Sequence, residues 1–225
     1  MTSNHFWAVS LLSVIAFSTF ASAQNDLVIS EYVEGSSFNK AIELCNPAAT
    51  SVNLATESYV LQVYSNGAST ATSITLTGSV PSGGSFVVTH PSFSLVGVTA
   101  GQTSSSLDFN GNDVVVLRKG GGTGAVVDSF GQIGISAGSP PPNFAVDTTY
   151  RKKSCGLRDT NTDDVFNPLD QYDLFVIDTA SGLNSCPSSC VSGVAPTPTL
   201  APTASPTTVP VVVSTHNDSL LRVSL

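Results

Sequence analysis

The sequence predicts an all-β protein, a sandwich or barrel of short strands. Three observations carry that reading. Apolar and polar residues alternate with a period of two through a series of short segments rich in β-branched and aromatic residues. Gly, Pro, Ser or Asn bounds each segment, at the regular spacing that sandwiches and barrels show. No window of helical length carries an apolar stripe at the 3.6-residue period.

The N-terminus reads separately. An apolar run, Phe6 to Phe20, is followed by Ala21-Ser22-Ala23, the hydrophobic region and small-residue cleavage site of a secretory signal. A membrane-spanning helix needs about 20 mostly apolar residues, and this run is shorter and carries serines. Its leading segment holds only His5 and the α-amino group where Lys or Arg is usual. The sequence therefore predicts a leader over residues 1–23, a mature chain from Gln24 and no membrane span after cleavage.

Residues 24–190 carry the strand pattern. In DLVISEYV, Leu27, Ile29 and Val33 fall on one face in a loose alternation, with Glu31 among them. In KAIELCN, Ile42 and Leu44 share a face and Glu43 lies on the other. SYVLQVYS has too many apolar residues to be one-sided. SITLTGSV, GSFVVTH, DVVVLRK, GAVVDSF, TTYRKKS and YDLFVID continue the series. Gly120 to Gly124 reads as a hairpin loop, because a phosphate-cradling loop would need Gly-Lys-Ser/Thr opening a helix and a strand follows here. Ser136 to Asn143 holds three consecutive prolines and reads as a surface connection.

After Cys190 the composition changes. Ala195 to Pro210 is rich in Pro, Thr and Ala and cannot bury enough apolar surface to fold. Residues 191–225 are expected to form a disordered stalk and tail, with O-glycosylation of its Ser and Thr residues. The apolar patches near the end are interrupted by Ser214 to Asp218, so no lipid-anchor signal is read there. Asn217-Asp218-Ser219 is an N-glycosylation sequon.

Charge narrows the function. The 225-residue chain has 16 acidic and 8 basic residues, a net charge of -8. That balance argues against nucleic acid as a partner, because affinity for phosphate backbones comes largely from Lys and Arg displacing counterions. The basic residues Arg151, Lys152, Lys153 and Arg158 cluster, and the expectation for them is a solvated strand face. The cysteines are Cys45, Cys155, Cys186 and Cys190, an even count that predicts two disulfides in an oxidising compartment. Three connectivities are open. Cys155 follows a strand and Cys186 and Cys190 lie where the domain ends, so Cys155 is expected to bond one of those two and Cys45 the other. Zinc would need a partner pair of His or Cys at ligand spacing, which Cys186-Pro-Ser-Ser-Cys190 lacks.

Five separated stretches, LVISEYVEGSSFNKAIELCNP, VNLATESYVLQVYSNG, ITLTGSVPSGGSFVVTH, FNGNDVVVLRKGGGTGAVVDSFGQIG and YRKKSCGLRDTNTDDVFNPLDQYD, resemble the lamin-tail-type domain. The resemblance runs in order from about Asp26 to Leu183 and is nearest to the accessory domain of secreted bacterial nucleases. It implies an immunoglobulin-like β-sandwich and, by itself, no chemistry. The nucleases carry a separate catalytic domain after this one, whereas the present sequence runs into the Pro/Thr stalk. Cys45 stands where the family usually has an aromatic residue.

Candidate chemistry is sparse. Glu31, Glu34 and Glu43 lie close in sequence, and Glu31 and Glu43 can pair across adjacent strands. Catalysis by two carboxylates needs them to face each other across a substrate with separated pKa values. The expectation here is instead solvated or edge-strand carboxylates, with Glu34 in the turn. His90 sits at a strand end before Pro91, and no Gly-x-Ser-x-Gly elbow accompanies it. Asp159, Asn161 and Asp163 fall at alternate positions, like the start of a calcium loop, with Asp170 eleven residues after Asp159. Asp164 occupies the place that needs Gly and no helices flank it, so an Asx-rich turn capping its own backbone is the competing reading.

The expected function is that of a secreted, non-catalytic module for extracellular adhesion, attachment or ligand presentation. It needs no cofactor beyond the calcium that Asp159, Asn161 and Asp163 would hold. Its partner would be an extracellular protein or polysaccharide. Two alternatives stand beside it: an accessory domain of an extracellular nuclease-like hydrolase system without its catalytic domain, and a calcium-stabilised polysaccharide-binding module.

Overall fold

The computed structural model describes residues 26–135 and 145–190. The leader, most of the triple-proline connection, the tail and the Asn217 sequon lie outside the described residues. In chain order the strands among the described residues are β1 (Val28–Glu34), β2 (Lys40–Cys45), β3 (Val52–Asn53), β4 (Val60–Tyr64), β5 (Thr72–Thr75) and β6 (Ser79–Val80). They continue as β7 (Ser85–Thr89), β8 (Gln102–Thr103), β9 (Val114–Lys119), β10 (Ala125–Phe130), β11 (Thr148–Lys152) and β12 (Tyr172–Val176). Every segment predicted from alternation forms a strand, and Ser73 to Val80 contributes to both β5 and β6. The two-residue strands β3 and β8 are too short to show a period. A single helical turn, α1 (Pro168–Gln171), starts at Asn167, whose side chain accepts from the Leu169 N–H.

The strands form a six-stranded sheet in the order β12-β11-β1-β2-β7-β8 and a four-stranded sheet in the order β10-β9-β4-β5. Neighbours are antiparallel except β7 and β8. The core draws alternate residues from both sheets: Tyr32, Ile42, Leu44 and Val88 from the first, and Leu61, Val63, Val115 and Leu117 from the second. Each such aliphatic side chain contributes roughly 1.5–3 kcal/mol by leaving water. Aromatic rings fill the β10–β12 end, with Tyr32 stacked on Phe130 at 4.0 Å and Tyr172 edge-on to Phe130 at 5.2 Å.

A β-bulge corrects one expectation. Ile29 pairs with Leu44 and Glu31 with Glu43, so Ser30 is an extra residue in β1. One inserted residue reverses the alternation beyond it. Leu27, Ile29 and Tyr32 therefore face the core, while Val33 joins a separate apolar cluster with Ala41, Val87 and Leu183. Leu27, Ile29 and Val33 do not share a face. A second bulge, between Val126 and Asp128 in β10, brings Asp128 into the interior.

The two bulges meet at one carboxylate. Asp128 Oδ2 accepts from the Ile29 N–H at 2.9 Å and from Lys152 Nζ at 2.6 Å. Its Oδ1 accepts from the N–H groups of Ser129 at 3.1 Å and Asp159 at 3.0 Å. Lys152 also donates to the Tyr172 hydroxyl at 3.0 Å, and that hydroxyl donates to the Ile29 carbonyl at 3.2 Å. Asp128, Lys152 and Tyr172 are each 0% exposed. Lys152 thus departs from the solvated face expected of the basic stretch, whereas Lys153 is exposed and Arg151 and Arg158 are partly exposed. Alternation along β11 turns Lys152 inward and Arg151 outward, where Arg151 Nε meets Glu31 Oε2 at 3.0 Å. Burial holds the Lys152 ammonium below its ordinary pKa, against the attraction of Asp128.

Removing one member of such a pair leaves the other charge buried and alone, which typically costs about 3–5 kcal/mol. Asp128→Ala is expected to lose that much in urea unfolding. Asp128→Ala combined with Lys152→Met is expected to regain at least half of the loss. A double variant no more stable than the single would show that the pair is not the source of the effect.

Candidate functional site

Over β1, β2 and β7 the outer face of the six-stranded sheet is not open to solvent. Residues 93–98 and 180–186 cross it, and Phe93, Leu95, Val98, Ala180 and Leu183 pack on Val33, Ala41 and Val87. The second crossing segment is tied at both ends. Asp178 accepts from the Ser36 N–H at 2.9 Å and the Ser36 hydroxyl at 2.7 Å, and Cys186 is bonded to Cys45 at the end of β2. The other disulfide joins Cys155 to Cys190. Of the two pairings expected, the chain has Cys45 with Cys186 and Cys155 with Cys190, and together they fasten its C-terminal segment to β2 and the β11 exit.

The glutamates lie under this strap. Glu31 and Glu43 are register partners on the central strands β1 and β2 and are 1% and 0% exposed. The expectation of solvated or edge carboxylates is wrong, because β11 and β7 flank the two strands and the strap covers them. Glu31 pairs with Arg151, and Gly182 lies so close above that a Cβ there would fall 2.1 Å from both Arg151 Nε and Glu31 Oε2. Glu43 Oε1 accepts from the Ser30 hydroxyl at 2.8 Å and its Oε2 from the Ser185 N–H at 3.2 Å. Glu34 is in β1 rather than in the turn. It is ion-paired with buried Lys40 and accepts from the Asp147 N–H.

Burial pushes the Glu43 carboxyl up to about 7; the Ser30 and Ser85 hydroxyls oppose the rise and the Glu31 charge adds to it. Burial raises Glu31 as well, against Arg151. These carboxylates face a protein strap, with each other and Arg151 as partners.

Along the loop of Asp159, Asn161 and Asp163, side chains cap the chain's own backbone. The Asn161 N–H donates to Asp159 Oδ1 at 3.0 Å, and the Asp163 N–H donates to Asn161 Oδ1 at 3.3 Å. The Asp163 carbonyl accepts from Gln132 Nε2 at 2.7 Å. The loop is a chain of Asx turns in which side chains cap successive backbone groups. Among the described residues no group of three or more His, Cys, Asp and Glu is placed to hold a metal. Asp170 is elsewhere, accepting from its neighbour Asn167 Nδ2 at 3.0 Å. His90 stacks on Phe38 with ring centroids 4.5 Å apart, and its Nδ1 accepts from the Ser92 N–H.

An open cavity of about 720 Å³ lies where the start of β1, the β9–β10 hairpin and residues 156–160 meet. Its charged wall is Asp26, Glu57, Lys119 and Arg158, and Ala125, Val126 and Val127 supply apolar lining. Lys119 Nζ bridges Glu57 Oε2 at 2.6 Å and Asp26 Oδ2 at 3.4 Å and lies over the Tyr59 ring. Burial lowers the Lys119 pKa, but the two carboxylates outweigh it and the net shift is upward. Asp26 Oδ1 accepts from the Leu27 N–H and the Tyr59 hydroxyl. Arg158 donates to the backbone carbonyls of Cys155 and Asp26, and burial lowers its pKa, with Asp128 and Asp26 opposing. The sequence did not single out this group. Its members are as far as 132 residues apart, and nothing local marks them.

Two antiparallel sheets packed face to face, a strap sealing one outer face and a cavity at the sandwich end define an immunoglobulin-like β-sandwich module. The chain belongs to the lamin tail domain family, whose model matches residues 21–134. That match covers β1 to β10 and ends before β11, β12 and the strap. No curated protein matches the chain. The two disulfides are those of a protein folded in an oxidising compartment. Among the described residues no helix is long and apolar enough to cross a membrane.

Glu43 sets a pH dependence. Its carboxyl binds a proton more tightly in the folded chain, at about 7, than at the ordinary value of 4.5. Its contribution is complete below pH 4.5 and is lost as pH rises through 7, a change on the order of 3 kcal/mol at 1.36 kcal/mol per pH unit. The melting temperature should be lower at pH 8 than at pH 5, and Glu43→Gln should remove at least half of that fall. An identical fall in the variant would rule out Glu43 as its origin.

For the Asx loop, Asp159→Ala in metal-free buffer is expected to cost about 1 kcal/mol, the usual worth of a backbone cap. A stability unchanged without calcium, together with a calcium-dependent rise in the wild type that the variant lacks, would give the loop to a metal instead.

Proposed function

We propose that this chain is a secreted, non-catalytic attachment module that binds an extracellular surface through the cavity at the end of its sandwich. The carrying observation is how its charges are distributed. The carboxylate pair closest in register, Glu31 and Glu43, is sealed beneath the strap, whereas Asp26, Glu57, Lys119 and Arg158 line an open cavity. Acid–base chemistry needs reach to a substrate, which sealed carboxylates lack. Recognition needs a preformed concave site with a few fixed polar groups and apolar lining, which the cavity supplies. The likeness to accessory domains of secreted nucleases supports the same role, since those modules accompany a catalytic domain and are not one. The leader read at residues 1–23 and the Pro/Thr stalk after Cys190 support secretion and display.

The test is retention of the oxidised mature protein on the insoluble extracellular fraction of its source, compared with an Ala125→Trp variant. Ala125 is exposed and lines the cavity, so an indole there fills the site without touching the core. Wild-type retention with at least a tenfold loss in the variant is the expected result. Equal retention of the two proteins, or none of either, would overturn the reading.

A further inference from the structure

The groups lining the cavity are unequally satisfied. Asp26 is engaged at both carboxylate oxygens, by the Leu27 N–H and the Tyr59 hydroxyl at one and Lys119 at the other. Lys119 spans two carboxylates. Arg158 is different. Its Nε and Nη2 donate to backbone carbonyls, and no carboxylate of the described residues lies within ion-pairing distance of it. This half-buried guanidinium feels Asp26 and Asp128 only at a distance, and its Nη1 donates no hydrogen bond to the described residues, so Nη1 is the group left to meet an incoming anion. Beside it, Glu57 engages Lys119 through Oε2 and has Oε1 left to accept, and the Thr160 hydroxyl lines the same space.

These vacancies specify a ligand. The free Nη1 matches a carboxylate oxygen, to which it can donate a charge-assisted hydrogen bond. Glu57 Oε1 and Thr160 match hydroxyl groups. Val126, partly exposed at the lining, matches the C–H face of a ring. A volume of about 720 Å³ is within the roughly 300–1,000 Å³ of small-ligand sites. A phosphate dianion would bring one more negative charge beside Asp26 and Glu57 than a carboxylate does.

We infer that the cavity between the start of β1, the β9–β10 hairpin and residues 156–160 binds a carboxylate-bearing sugar, a uronic acid unit of an extracellular polysaccharide. This rests on the attachment reading and names its ligand class. Arg158 grips the carboxylate, Glu57 and Thr160 take ring hydroxyls, and Val126 supports the ring.

The probes are methyl glucuronoside, methyl glucoside and glucose 6-sulfate, titrated into the mature, oxidised protein and followed by NMR chemical shifts. Saturable millimolar binding of the glucuronoside is expected, with shifts at Arg158, Thr160 and Val126. The neutral glucoside should bind at least tenfold more weakly, because it leaves Arg158 unpaired. Arg158→Gln and Ala125→Trp should each weaken glucuronoside binding at least tenfold. The second variant leaves the Arg158 backbone contacts in place, so a folding defect in the first does not decide the outcome. Equal binding of glucuronoside and glucoside, no binding of the glucuronoside, preference for the sulfate, or binding that survives Ala125→Trp would each overturn the proposal. If the glucuronoside fails while the extracellular fraction still retains wild type and not Ala125→Trp, the ligand class is wrong and the attachment reading stands. If neither binds, both fall.

Discussion

Everything at the β10–β12 end of the sandwich depends on one buried carboxylate. Asp128 accepts four hydrogen bonds, from Ile29, Lys152, Ser129 and Asp159. Those donors belong to β1, β11, β10 and the loop beyond β11, so a single side chain ties both sheets to the loop. The bulges explain why it is there. An extra residue in each of β1 and β10 leaves backbone groups without ladder partners, and a buried backbone N–H without a partner costs about 1–3 kcal/mol. Asp128 and Tyr172 supply those partners for the N–H and carbonyl of Ile29. Lys152 then neutralises the carboxylate where water cannot.

The same logic, with a different balance of charge, governs the outer face. Glu31 has Arg151 beside it, but Glu43 has only neutral donors, and its carboxyl therefore holds its proton to about 7. The strap that creates this environment is a peptide segment with little apolar content of its own. It is kept in place by the Cys45–Cys186 bond, by Asp178 at its start and by Leu183 in the Val33–Ala41–Val87 cluster. Closing a loop of 141 residues removes chain entropy worth about 5 kcal/mol from the unfolded state in the chain-entropy model. A covalent clasp thus offsets the cost of covering two carboxylates.

These arrangements separate stability from recognition. The buried charges hold the sandwich together and are out of reach of any substrate. The cavity lies where the β9–β10 hairpin and the start of β1 leave the sandwich end uncovered. The Lys119 bridge to Asp26 and Glu57 spans part of its wall. Under the proposed reading, such a bridge would reduce the ordering cost of binding.

The sequence by itself determined the strands. A pleated backbone sends successive side chains to opposite faces, and the predicted alternation in segments such as Lys40 to Asn46 and Asp113 to Lys119 forms strands as read. The hairpin at Gly120 to Gly124 was legible too, because Gly120 and Gly121 adopt φ of 86° and 89°, which other residues rarely do. The even cysteine count pointed to an oxidising compartment. Only the tertiary structure decided which faces were buried. Ser30 carries no sign that it is a bulge, yet it moves Val33 to the opposite face and puts Glu31 beside Glu43. Lys152 reads as a surface lysine until Asp128, 24 residues away, is placed against it. Arg158 and Asp26 meet across 132 residues. Alternation is a property of neighbouring peptide units and can be read along the chain, whereas the partner of a charge is set by how distant strands pack.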